Sequence, residues 1–350
     1  MPSRLNDDLR NFIIEIPKVE LHIHLEGCVT PEFWFQLNKK NEQLIEGPLP
    51  SIEALQSRFR FQNFQDFIAA FRDVIYSFHT PGDLYDLTCF VIENARQQNI
   101  RYLELLFTPW FLVKRGIDFH EMMAEIDRAC KEGEEKYGVK VKLLFDGPRN
   151  MGPQVVMETF ELATQERTGR VIGVGLGGDE VNYPAREFVK EFDFARAHGL
   201  RTVAHAGEGG GEKSMLDAIK KLKAERLGHC LGIPKSSKLE RLVLEKEIPL
   251  ELCPNSNVAT GTIENLKDHP FETYLNRGYP ISLHSDDPGF FQTNLLREYE
   301  TMAELHKLKP EQLLELSRNA VRASFMSPSE KQTLLCEVNK TRKVSRVPQL

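Results

Sequence analysis

The sequence predicts an α/β fold, a (β/α)8 TIM barrel with a helical insertion between the first and second strands. Short β-rich apolar runs alternate with helical stretches along the chain, the pattern of a parallel sheet with right-handed crossovers. Side chains that bind metals close several of those runs, and the C-terminal ends of the strands are where such a barrel carries its chemistry. A chain of 350 residues with 41% hydrophobic residues is long enough to build this barrel as one unit.

The first strand is read at 19–24, within Val19-Glu20-Leu21-His22-Ile23-His24-Leu25. Strand side chains alternate faces, so His22 and His24 point the same way. The insertion follows, over about 30–100, with Phe64, Phe67, Phe71 and Phe78 recurring at helical spacing. That helix is expected to pack on the barrel or to lie above its mouth as a lid that expels water, and the two readings hold for different faces. Further strands are read at 102–107, 141–145, 171–176, 202–205, 226–229, 250–252 and 281–284. The run at 202–205 ends on His205, followed by Ala206-Gly207-Glu208; the run at 226–229 ends on His229; the last leads into Ser285-Asp286-Asp287-Pro288. Residues 1–340 are expected to form a single barrel domain, and 341–350 a solvated basic tail.

Composition narrows the function. The net charge of -6 argues against a nucleic-acid partner, which selects for a basic stripe. No apolar stretch approaches the roughly 20 residues that span a bilayer, and the polar start Met1-Pro2-Ser3-Arg4 is unlike a signal peptide, so a cytoplasmic protein is expected. The six cysteines show no C-x-x-C spacing, which indicates neither a disulfide framework nor a thiolate zinc site. In Gly207-Glu208-Gly209-Gly210-Gly211-Glu212-Lys213-Ser214, Glu212 separates the last glycine from Lys213 and two carboxylates repel phosphate, so flexible backbone beside a metal ligand is the reading taken. Oligomeric state is left open.

Three histidines and a carboxylate, with water in an open position, match a catalytic rather than a closed structural metal site. A metal held by His22, His24, His205 and Asp286 lowers the pKa of its bound water from 15.7 to roughly 7, giving a hydroxide nucleophile. Zinc is expected, one ion per chain, although iron or cobalt suits the same donors. Glu208 lies three residues past His205, where burial favours its protonated form as a general acid. His229 ends the next strand and is placed either to take a proton from the metal-bound water or to hold the hydroxide in line. Asp287 remains free to bind substrate.

The motifs His22-Ile23-His24-Leu25-Glu26-Gly27, Gly178-Asp179-Glu180, His205-Ala206-Gly207-Glu208, Gly228-His229 and Ser285-Asp286-Asp287-Pro288 closely resemble those of the adenosine deaminases, in the same order and at similar separations. The resemblance runs from about Ile16 to Phe325. It implies a zinc-dependent barrel that replaces the 6-amino group of a purine nucleoside with oxygen and releases ammonia. It further implies that His22, His24, His205 and Asp286 hold the zinc, that Glu208 protonates purine N1, and that His229 orients and deprotonates the attacking water. Asp287 is implied at N7 and the backbone of Gly178 at N3, while Glu26 stands where the family usually has an Asp contacting the ribose 5′-hydroxyl.

Other positions depart from the animal enzymes of the family. Gly175 and Leu106 replace an Asp and an Arg, Cys230 replaces a Gly after His229, and His284 replaces an Asn two residues before Asp286. By strand alternation His284 shares a face with Asp286 and is open as a competing ligand or a supporting residue. The alternatives for substrate are aminodeoxyfutalosine, as in deaminases of menaquinone biosynthesis that resemble this chain at Cys253-Pro254-Asn255-Ser256-Asn257-Val258-Ala259-Thr260, and then adenine. Free adenine is disfavoured by Gly178-Asp179-Glu180 and by Thr108-Pro109-Trp110. Two readings lie outside this class. A non-catalytic nucleoside-binding barrel normally loses a ligand or the acid, and a metal hydrolase of esters or amides needs neither Gly178 nor Asp287.

Overall fold

The computed structural model describes residues 5–61, 64–233 and 237–344. Eight strands follow one another around a single sheet in chain order: β1 (Lys18–His24), β2 (Ile100–Phe107), β3 (Lys140–Pro148), β4 (Val171–Gly177), β5 (Arg201–Ala206), β6 (Arg226–His229), β7 (Leu250–Leu252) and β8 (Ile281–Leu283). Every neighbouring pair is parallel. The ring closes where the chain beyond β8 returns to β1: the His24 N–H donates to the Asp286 carbonyl at 2.9 Å, and the Asp286 N–H to the His22 carbonyl at 3.0 Å. This is the (β/α)8 barrel read from the sequence, with each predicted strand found within a few residues of its expected place.

Parallel strands covered by helices are buried on both faces, and β1 is buried at all seven positions. Charges inside such a barrel must be paired. Arg226, fully buried, joins Glu104 at 2.6 Å and Glu251 at 2.5 Å, and the other oxygen of Glu251 faces Nδ1 of His22 at 3.0 Å. At the base of β1, Lys18 donates to the carbonyls of Ile13, Ile16 and Gln98, and burial lowers its pKa to about 7.

Between β1 and β2 lie helices Pro31–Lys40, Ile52–Arg58, Phe64–Tyr76 and Pro81–Gln97. The last packs on helix Phe119–Tyr137 in the outer ring of the barrel. Helix Phe64–Tyr76 instead crosses the mouth. Its Phe67, Ile68, Phe71, Arg72, Ile75 and Tyr76 line a cavity of about 250 Å³ above the C-terminal strand ends. It also packs through aromatic rings: Phe67 and Phe71 stand 5.7 and 5.5 Å, centroid to centroid, from Phe290, three residues past Asp287. Packing and roofing thus belong to one helix. Phe78 is fully buried beyond its end, and the side chain of Phe64 lies outside the described residues.

The C-terminal helix Pro328–Val344 takes in the start of the expected basic tail, of which 345–350 lie outside the described residues. Among the described residues no helix is long and apolar enough to cross a membrane.

Candidate active site

Four side chains converge at the floor of the cavity. His22 and His24 leave β1 on one face, as alternation requires, and meet His205 from β5. Nε2 of His205 is 3.1 Å from Nε2 of His22 and 3.2 Å from Nε2 of His24. Oδ1 of Asp286 is 3.3 Å from each of the two β1 nitrogens. All four ligating atoms lie within 4.8 Å of one another, and all four residues are buried.

The backbone is strained where these side chains are aimed. Asp286 has φ +63°, His229 +64° and Cys230 +61°, left-handed values that non-glycine residues adopt at a cost of order 1–3 kcal/mol each. Cys230 stands where the resembled family has Gly. Its thiol donates to the Leu227 carbonyl. Gly228 has a different reason to lack a side chain, because a Cβ there would lie 2.3 Å from Cε1 of His22.

Each converging group is fastened from behind. Nδ1 of His22 faces Glu251, and Nδ1 of His205 faces the Leu176 carbonyl at 3.2 Å. The Ser256 hydroxyl donates to Oδ2 of Asp286 at 2.6 Å. Such partners fix ring orientation at metal sites. Burial and the neighbouring His22, His229 and His24 push the pKa of His205 well down, leaving a neutral imidazole. Burial raises the pKa of Asp286, but the neighbouring imidazoles of His22, His24 and His229 more than offset it and hold the group ionised. Oδ1 of Asp286 is buried without a hydrogen-bond partner. Three imidazoles and a buried carboxylate that bring their ligating atoms within 4.8 Å of one another fit a divalent cation.

Glu208 and His229 stand beside this cluster. Nε2 of His229 is 3.8 Å from the Glu208 carboxylate and 4.0 Å from that of Asp286, and Asn257 meets its Nδ1 at 3.0 Å. Burial lowers the pKa of His229 to about 3, so the ring is neutral. Burial, with the charges of Asp286 and Glu180, raises that of Glu208 to about 8, the direction expected for an acid. Burial next to Asp286 likewise raises Asp287 well above the usual carboxylate range. Asp287 lines the cavity against Gly27, where a Cβ would lie 1.9 Å from its Oδ1. Gly178 also lines the cavity, at φ +102°, and a Cβ there would lie 2.3 Å from Oδ1 of Asn150.

Two residues sit elsewhere than the sequence suggested. Glu26 does not line the cavity; it lies behind Thr108, accepting that residue's N–H at 2.9 Å, and burial raises its pKa to about 7. His284 is not part of the ligand cluster. Its Nδ1 accepts the Leu21 N–H at 3.1 Å and its Nε2 faces the Ser282 hydroxyl at 2.8 Å.

The glycine-rich loop after His205 is not loose. The buried Glu180 carboxylate accepts the N–H groups of Gly207 at 2.8 Å, Glu208 at 3.1 Å and Gly210 at 3.2 Å. Sequence reasoning also passed over Asp146, which follows the predicted third strand and lines the cavity, and Arg149, whose guanidinium bridges the carbonyls of Leu176 and His205. Asp146 carried the same signal as the residues that were found, an acid closing an apolar run.

Comparison with known proteins agrees with this fold. The profile of the adenosine deaminase family matches residues 17–341. The chain is 36% identical over 334 residues to an aminodeoxyfutalosine deaminase of Streptomyces avermitilis, covering 95% of this chain and 93% of the relative. It is 33% identical over 326 residues to an adenine deaminase of Crocosphaera subtropica, covering 93% and 99%. The crystal structure of an adenine deaminase from Arthrobacter aurescens, 29% identical, superposes with a TM-score of 0.88 over 94% of this chain and 99% of that one. The chain belongs to the adenosine deaminase family.

Proposed function

We propose that the chain hydrolyses the 6-amino group of adenosine or of a 5′-substituted adenosine, releasing ammonia and an inosine-type product. The observation that carries this is the meeting of His22, His24, His205 and Asp286 with Glu208 and His229 at one cavity. Relatives named for 6-amino purines support the substrate class. Zinc held by His22, His24, His205 and Asp286 is the proposed cofactor, with iron or cobalt compatible with the same donors. When bound, the cation acidifies a water to a pKa of about 7 and makes it a nucleophile at neutral pH.

The protein's residues do the remainder. Protonated Glu208 donates to purine N1 and draws electron density from C6. Neutral His229, its ring held by Asn257, accepts the proton of the attacking water. The C6–O bond forms, the proton taken up by His229 passes to N6, the C6–N6 bond breaks and ammonia leaves, and the remaining hydroxyl proton returns to the Glu208 carboxylate as C6=O forms. Asp287, kept neutral, has a proton to donate to N7, and Gly178 allows close backbone approach at N3. Glu26 supports the sugar end by holding the backbone of Thr108, a cavity residue. Phe67 and Phe71 roof the site and exclude bulk water.

A second reading is an adenosine that carries an aromatic acid at the 5′ position, as in aminodeoxyfutalosine. The Streptomyces relative and a cavity wall that combines Ile75, Tyr76 and Phe111 with the cationic Arg72 favour it. Ammonia release from adenosine, methylthioadenosine and aminodeoxyfutalosine by metal-replete protein tests the proposal. Turnover of at least one is expected, and none with any of the three overturns it.

A further inference from the structure

Asp146 stands two residues before the end of β3 and lines the cavity. The residue is 5% exposed, its Oδ1 is buried without a partner, and among the described residues neither oxygen makes a hydrogen bond or an ion pair. A buried carboxylate of this kind is costly unless something donates to it. The nearest guanidinium, Arg149, spends Nη2 on two backbone carbonyls and does not pair with it.

The neighbouring strand is shaped to admit this group. A Cβ at Gly175 of β4 would lie 2.6 Å from Oδ1 of Asp146, and one at Gly177 would lie 2.4 Å from Oδ2. A second unpartnered group faces the same cavity: Nδ1 of His24 has no hydrogen-bond partner among the described residues, whereas Nδ1 of His22 and of His205 each have one.

We infer that Asp146 is a substrate-binding and specificity-determining residue that accepts a hydrogen bond from a sugar hydroxyl of the nucleoside. This rests on the function proposed above. In that arrangement N1, N3 and N7 of the purine are served by Glu208, Gly178 and Asp287, and the 6-amino group departs. The donors left on a nucleoside are its ribose hydroxyls, and a hydroxyl donates to a carboxylate such as Asp146. Glu26, withdrawn behind Thr108, does not reach the cavity wall.

The test is kcat/KM for adenosine, its 2′-, 3′- and 5′-deoxy analogues and adenine, with the wild type and Asp146→Asn, together with bound metal per chain. A hydrogen bond to a charged acceptor corresponds to a loss of roughly 10- to 100-fold on adenosine. That loss is expected to shrink to roughly threefold or less for the one deoxy analogue that lacks the recognised hydroxyl, with metal content preserved. An equal loss on every substrate, a loss greatest with adenine, or loss of metal overturns the inference, and Asp146→Ser repeats the test with a smaller side chain. Wild-type turnover with a flat response to Asp146→Asn overturns the role of Asp146 and leaves the deaminase function standing. A wild type that releases no ammonia from any substrate overturns both.

Discussion

Removing the carboxylate of Glu180 isolates one link of the account, the placement of the acid Glu208. Glu180 touches neither the metal cluster nor the cavity wall, yet it accepts three N–H groups, of Gly207, Glu208 and Gly210, from the loop that carries Glu208. Gly210 is glycine at its side, where a Cβ would lie 2.7 Å from Oε2 of Glu180. Hydrogen bonds to a charged acceptor contribute about 1.5–3 kcal/mol each, and three on one carboxylate are not additive. Counting only the bond to the N–H of Glu208 as lost alignment gives a fall of roughly 10- to 100-fold in kcat for Glu180→Ala. Glu180→Gln, which keeps one acceptor oxygen, falls between the variant and the wild type. The assay is steady-state ammonia release with metal quantified in the same samples, and metal content is expected to stay at the wild-type level. Wild-type kcat in Glu180→Ala, or an activity loss matched by metal loss, refutes the reasoning.

Four further outcomes follow from the same geometry. Glu208→Gln removes the proton donor and lowers kcat by roughly 10²- to 10⁴-fold while metal content holds, which single-turnover kinetics and metal analysis check together. Gly228→Ala places a Cβ 2.3 Å from the His22 ring and weakens metal binding by roughly 10- to 100-fold, read by competition with a chelating dye. Removing the metal with a chelator abolishes turnover and lowers Tm, and both return when a divalent ion is restored. Burial raises the pKa of Glu298 from 4.5 to about 7, so the folded chain keeps a proton that the unfolded chain gives up. Its contribution of up to about 3 kcal/mol is fully present below pH 4.5 and lost as pH rises through 7, and Glu298→Gln flattens Tm against pH across that window.

Much of this site is legible in the sequence because its ligands sit at ends of strands whose apolar runs are continuous. Period-two alternation alone puts His22 and His24 on one face, and the structure shows them meeting. Alternation fails at His284 because β8 ends at Leu283 and Asp286 turns into the left-handed region. His284 is thereby turned to the Leu21 N–H and the Ser282 hydroxyl, away from the cluster. The third strand reads as ending at Phe145, since Gly147-Pro148 has the composition of a turn; β3 in fact runs to Pro148 and carries Asp146 with it. The loop after His205 reads as flexible because its restraint, Glu180, lies 27 residues from the Gly207 N–H it holds, beyond the reach of local pattern. Glu26 is adjacent to the metal ligands in sequence, yet the short helical turn Glu26–Cys28 sends it behind Thr108.

The central claim is that His22, His24, His205 and Asp286 hold one catalytic cation beside Glu208 and His229. The direct measurement is metal per chain together with ammonia release from adenosine and 5′-substituted adenosines, for the wild type and His205→Ala. The account predicts one divalent ion and one ammonia per nucleoside consumed in the wild type, and loss of both in the variant. A wild type that binds the ion but deaminates none of these nucleosides, or a His205→Ala protein that keeps full activity, contradicts it.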